Sequence, residues 1–113
     1  MMSKRMTILV AIMALMVAIF ATTAYAATIR GDNTGEALYE TPQNDQIYGQ
    51  GGNDFLGAVE YSGDTDKLYG GRGGDELQAD DGDTLDVING GGGIDSCYGD
   101  AGDTYVGCEQ IIN

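Results

Sequence analysis

The sequence predicts an all-β fold, a parallel two-sided coil (a β-solenoid) of very short strands. Three observations predict it. Glycine supplies 19 of the 113 residues, and no apolar pattern at a 3.6-residue period occurs outside the N-terminal segment, which leaves helix unsupported. Acid-x-apolar triplets begin at Glu36, Asp45, Asp54, Asp66, Asp75, Asp86, Asp95 and Asp103, at intervals of 9, 9, 12, 9, 11, 9 and 8 residues. The nonapeptide Gly70-Gly71-Arg72-Gly73-Gly74-Asp75-Glu76-Leu77-Gln78 is echoed at Gly49–Gly57 and Gly90–Tyr98. A unit with one leucine to bury and nothing of its own to bury it against implies stacked copies.

The first segment, 1–26, reads as a cleaved secretory signal. Lys4 and Arg5 form a positive start, Ile8 to Ala21 is an apolar run, and Ala24-Tyr25-Ala26 is a small-x-small cleavage site. The run is shorter than the roughly 20 residues of a membrane-spanning helix, and no cysteine follows it to carry a lipid. The expected product is an extracellular domain, 27–113, without a membrane span.

Within that domain, Ala27-Thr28-Ile29-Arg30 is a short β-prone lead-in, and alternate triplets then fall into two populations. The loops into Glu36, Asp54, Asp75 and Asp95 (31–36, 49–54, 70–75 and 90–95) all have the same length and start with glycine. The loops into Asp45, Asp66, Asp86 and Asp103 are irregular, and the first contains the only proline, Pro42. Each full turn therefore has two loops and two strands, with one side regular and the other elaborated. The inward residues form two ladders, Leu38-Leu56-Leu77-Cys97 and Ile47-Leu68-Ile88-Tyr105. Eight side chains are a small core for this much ordered, glycine-rich chain, so a further stabiliser is required.

Charge and cysteines narrow the function. Without Lys4 and Arg5 the chain keeps three basic residues, Arg30, Lys67 and Arg72, against 18 acidic ones, a net of −15. That field excludes nucleic acid as a partner and suits a chain that recruits cations. The two cysteines, Cys97 and Cys108, read as one disulfide in an exported protein, worth about 3 kcal/mol for a loop of about a dozen residues. Histidine is absent, which removes histidine-based zinc sites, serine triads and the usual general base. No nucleophile elbow or other catalytic constellation can be assembled, so the chain reads as a non-enzyme.

Calcium is the stabiliser that fits. On the regular side the carboxylates of Asp54, Asp75 and Asp95, with Glu36 below them, recur once per turn. Adjacent turns lie about 4.8 Å apart, close to twice a Ca–O distance of about 2.3–2.6 Å. Glycine-rich loops can turn carbonyls inward to complete six to eight oxygen ligands. Without an ion the stacked carboxylates repel one another. Magnesium prefers a tight octahedron with retained waters, and transition metals lack their nitrogen and thiolate ligands here.

The copies at Gly70–Gln78 and Gly90–Tyr98 match the GGxGxDxUx nonapeptide of the RTX (haemolysin-type) calcium-binding proteins, with Cys97 at the large apolar position of the second; the Gly49 copy departs only at Gln50. The chain thus resembles a small secreted member of that family over about Gly31 to Glu109. The resemblance implies a parallel β-roll with Ca2+ between consecutive loops. Asp54, Asp75 and Asp95 would be side-chain ligands, joined by Glu36 and by the carbonyls of Gly49, Gly51, Gly52, Gly70, Gly71, Gly73, Gly90, Gly91 and Gly93. Asp75, in the middle, would serve two ions. Repeats would span about 31–105, with a disulfide-closed cap over about 97–113 that pins the last strand across the open end. On the elaborated side, Asp45, Asp64, Asp66, Asp83, Asp86 and Asp103, and with them Asp80, Asp81 and Asp100, read equally as weaker metal ligands or as a solvated acidic face. Tyr39, Tyr48, Tyr69 and Tyr98 should point outward, as strand-surface residues or as an aromatic binding stripe. Two functions stay open: a secreted calcium-binding protein whose folding is coupled to the ion, and a structural or adhesive module that calcium only stiffens. A protein or glycan partner is not indicated by the residues.

Overall fold

The computed structural model describes residues 26–113; the signal segment assigned to 1–26 lies, apart from Ala26, outside them. The described chain contains ten strands and no helix. They are β1 (Thr28–Arg30), β2 (Ala37–Tyr39), β3 (Gln46–Tyr48), β4 (Phe55–Gly57), β5 (Lys67–Tyr69), β6 (Glu76–Ala79), β7 (Val87–Asn89), β8 (Ser96–Gly99), β9 (Thr104–Val106) and β10 (Gln110–Ile112). Odd strands form one sheet, β1-β3-β5-β7-β9, and even strands the other, β10-β8-β6-β4-β2. Every pairing within them is parallel. A parallel neighbour reached by crossing to the opposite sheet and back is the topology of a solenoid. The all-β two-sided coil is therefore the observed fold.

Both inward ladders are in register, and each has one rung more than the triplets foresee. Ile29 pairs with Ile47 below the first ladder member of the odd sheet, and Ile111 pairs with Cys97 beyond the last one of the even sheet. The middle rungs Ile47, Leu56, Leu68, Leu77, Ile88 and Cys97 are 0 % exposed, as are Ala58 and Ala79, which fill the core beside Leu56 and Leu77. Ile29, Leu38 and Tyr105 pack against this cluster but are only partly buried, because end rungs lack a neighbour on one side. Stacking, not chain length, decides burial here.

Cys97 and Cys108 form the expected disulfide, with Cα atoms 6.0 Å apart. The tail forms the disulfide-closed end of the roll. The chain turns at Gly107, with φ of +61°, and returns as β10, the last strand of the even sheet, alongside β8. The bridge therefore holds an additional rung in register.

The tyrosines face outward as expected, and they also pair. Tyr48 and Tyr69 stack with centroids 4.7 Å apart, and the Arg30 guanidinium lies 4.5 Å over the Tyr48 ring. Tyr39 packs on Phe55 on the opposite sheet at 5.8 Å. Rings one rung apart in a parallel ladder meet in this way because strand spacing equals a comfortable aromatic separation.

Candidate metal centre

Two files of carboxylates run up the coil, one at each bend. On the regular side the file is Glu36, Asp54, Asp75, Asp95 and Glu109; on the elaborated side it is Asp45, Asp66, Asp86 and Asp103. Each acid immediately precedes a strand, so the ladder that aligns the core also aligns the carboxylates. The link between turns repeats. Each acid's backbone N–H donates to a carboxylate oxygen of the next turn: Glu36 to Asp54 Oδ1 at 3.0 Å, Asp54 to Asp75 Oδ1 at 2.8 Å, Asp75 to Asp95 Oδ1 at 2.9 Å, and Asp95 to Glu109 Oε2 at 2.9 Å. The elaborated side does the same from Asp45 to Asp66 at 2.7 Å, Asp66 to Asp86 at 2.8 Å and Asp86 to Asp103 at 3.2 Å.

This arrangement leaves a half-used carboxylate on every inner turn. The Oδ2 atoms of Asp54, Asp66, Asp75, Asp86 and Asp95 are buried and have no hydrogen-bond partner. Unpaired buried carboxylate oxygen is unfavourable unless a cation or proton meets it. On the regular side the free oxygens point at the first glycine of their own loop. A Cβ at Gly49 would stand 2.5 Å from Asp54 Oδ2 and 2.7 Å from the Gly70 carbonyl oxygen. At Gly70 the corresponding distances are 2.5 Å to Asp75 Oδ2 and 2.6 Å to the Gly90 oxygen; at Gly90 they are 2.6 Å to Asp95 Oδ2 and 2.6 Å to the Gly107 oxygen. A side-chain oxygen of one turn and a main-chain oxygen of the next thus converge on a cradle that only glycine leaves open. The donors are hard oxygens, and the set fits calcium.

The remaining glycines of the motif answer to backbone shape. Its second and fourth positions have positive φ in all three copies: Gln50 (+75°) and Gly52 (+85°), Gly71 (+91°) and Gly73 (+110°), Gly91 (+84°) and Gly93 (+103°). Gln50 is the only non-glycine among the described residues with positive φ. At the third position, N–H groups bond to the turn below, Arg72 to the Gln50 carbonyl at 2.6 Å and Gly92 to the Gly71 carbonyl at 2.9 Å. The Gly71 carbonyl is thereby engaged in the loop ladder, whereas the first-position carbonyls reach the acid file.

The elaborated side gathers its carboxylates more tightly than register alone foretells. Glu40, Asp64 and Asp66 bring ligand oxygens within 4.8 Å of one another, as do Asp64, Asp81 and Asp83, and Asp83, Asp86 and Asp103. Glu40 is an addition to the expected residues, as is Glu109 on the regular side. Glu109 was legible as an acid-x-aliphatic triplet, Glu109-Gln110-Ile111, only six residues after Asp103. Glu40 carries no signal in sequence, because it meets Asp64 only when a long loop folds over the turn below. Asp45 stands apart. Its oxygens accept from the Ala27 N–H at 2.8 Å, the Thr41 N–H at 2.5 Å and the Thr41 hydroxyl, which leaves it saturated.

Burial sets the electrostatics. It pushes the Asp75 and Asp81 carboxyls up to about 6, Asp86 to about 7 and Asp66 to about 8, with neighbouring carboxylates adding to the rise and backbone N–H donors opposing it. Asp54, Asp64 and Asp95 are raised for the same first reason. Exposed Asp32 goes the other way, lowered by the Thr34 hydroxyl and N–H. Oδ1 of Asp75 is held by the Asp54 N–H, and its Oδ2 is free, as are those of Asp54 and Asp95.

The fold and this site define a β-solenoid whose acidic groups are positioned to bind metal ions. Comparison with family models, with curated proteins and with solved structures found no match.

Proposed function

We propose that the chain is a secreted, non-enzymatic calcium-binding protein of the RTX type, in which Ca2+ binds between successive glycine-rich loops and couples binding to folding. One observation carries this reading: the unpaired buried Oδ2 atoms of Asp54, Asp75 and Asp95, each converging with a main-chain carbonyl of the following turn (Gly70, Gly90 and Gly107) on the first glycine of its loop. The disulfide suits an oxidising compartment, and no helix among the described residues is long and apolar enough to cross a membrane. Extracellular calcium modules bind at about 0.1–1 mM, so the chain would remain unfolded where calcium is scarce and fold on reaching the outside. Binding free energy is then folding free energy.

Calcium titration calorimetry of the disulfide-intact chain tests this. The expected result is two or three comparable sites on the glycine side, lost when Asp54, Asp75 and Asp95 are all changed to Asn. Absence of heat, or a single zinc-selective site, would overturn it.

A further inference from the structure

The elaborated side buries more unpaired carboxylate oxygen than the calcium reading of the glycine loops uses. Asp66 is 0 % exposed; its Oδ1 takes the Asp45 N–H and its Oδ2 has no partner. Asp64 has no partner on either oxygen, and Glu40 has none on Oε2, although all three atoms are buried. One ligand oxygen from each of these residues lies within 4.8 Å of the other two. The group is held in place. Glu40 Oε1 accepts the Glu60 N–H at 2.6 Å and the Tyr61 N–H at 3.1 Å, tying the β4–β5 loop to the turn below. On either side of Asp64, the Gly63 N–H donates to Asp83 Oδ2 at 2.6 Å and the Thr65 N–H to Asn44 Oδ1 at 2.8 Å.

We propose that Glu40, Asp64 and Asp66 form a calcium site of their own, outside the glycine-loop register, and that Asp64 bridges it to a second site at Asp81 and Asp83. Four buried oxygens without protein partners are a coordination shell in waiting. Three carboxylates drawn from irregular loops suit calcium, which accepts six to eight oxygens in flexible geometry, better than magnesium, which demands an octahedron. Asp64 belongs to both neighbouring triads, and Asp83 links the second to Asp86 and Asp103. A carboxylate with two free oxygens can ligate two ions at once. The site draws on different loops from those of the proposed function and stands without them.

The test uses two conservative variants of the full, disulfide-intact chain. Asp64→Asn removes no hydrogen bond of the metal-free fold, and Glu40→Gln keeps the Oε1 acceptor, so both should retain their β signal in calcium. In calorimetry each should bind at least one calcium fewer than the parent chain, with Asp64→Asn losing no fewer than Glu40→Gln. Equimolar magnesium should not displace the ions that these variants lose. Parental stoichiometry and affinity in both variants would overturn the site, and displacement by magnesium would overturn its calcium character. Failure of the glycine-loop reading alone looks different: changing Asp54, Asp75 and Asp95 to Asn leaves the count unchanged, while Asp64→Asn still lowers it.

Discussion

Gln50 occupies a left-handed backbone position, with φ of +75°, where the other two copies of the motif place Gly71 and Gly91. An L-residue there is strained by about 1–2 kcal/mol, partly offset because glycine loses about 0.5–1 kcal/mol more entropy on folding. Gln50→Gly should therefore stabilise the calcium-loaded chain by about 0.5–1 kcal/mol, read as a higher denaturation midpoint at unchanged slope. A lower midpoint would mean that the Gln50 side chain contributes more than its backbone costs. The first-position glycines answer to a different requirement. A Cβ at Gly70 would sit 2.5 Å from Asp75 Oδ2, so that glycine keeps the carboxylate cradle open. The repeated motif makes all three positions visible in sequence, but only the structure divides them into two with positive φ and one where a Cβ would collide with the carboxylate.

At the scale of the element, strands of three or four residues have little stability of their own, and each rung depends on its two neighbours. Position in the stack should then govern the cost of truncation. Leu77→Ala, at a fully buried central rung, should cost about 2–5 kcal/mol. Ile111→Ala, at an end rung that is 50 % exposed, should cost about 1 kcal/mol or less. Equal losses in chemical denaturation would contradict a stack of rungs. The alternation of inward residues was legible because each strand is announced by an acid two positions before its apolar centre. Ile29 escaped that rule because Ala27 stands where the acid would be. β10 obeys it at Glu109-Gln110-Ile111, but this triplet follows Asp103 after only six residues, closer than any other pair. On the site, the aligned file of Asp54, Asp75 and Asp95 was legible for the same reason as the core. The grouping of Glu40 with Asp64 was not, since it depends on how a long loop lies over its neighbour.

Over the whole molecule the two carboxylate files set the conditions for folding. The metal-free coil holds protons that an unfolded chain would release, since Asp75, Asp86 and Asp66 are raised to about 6, 7 and 8 from 3.8. A raised carboxyl favours the folded state below its unfolded value and loses that contribution as pH climbs through the folded one. The metal-free chain should therefore be least stable near pH 8 and gain structure on acidification toward pH 4, the reverse of a protein held by ionised salt bridges. In the proposed function calcium would take the place of these protons, so binding should release them and remove this dependence. The most direct measurement is far-UV circular dichroism at about pH 8 with the disulfide reduced, in calcium and after chelation. The expected result is a β signal in calcium that is lost on chelation, restored by added calcium and partly recovered by acid. Equal β content before and after chelation would contradict it.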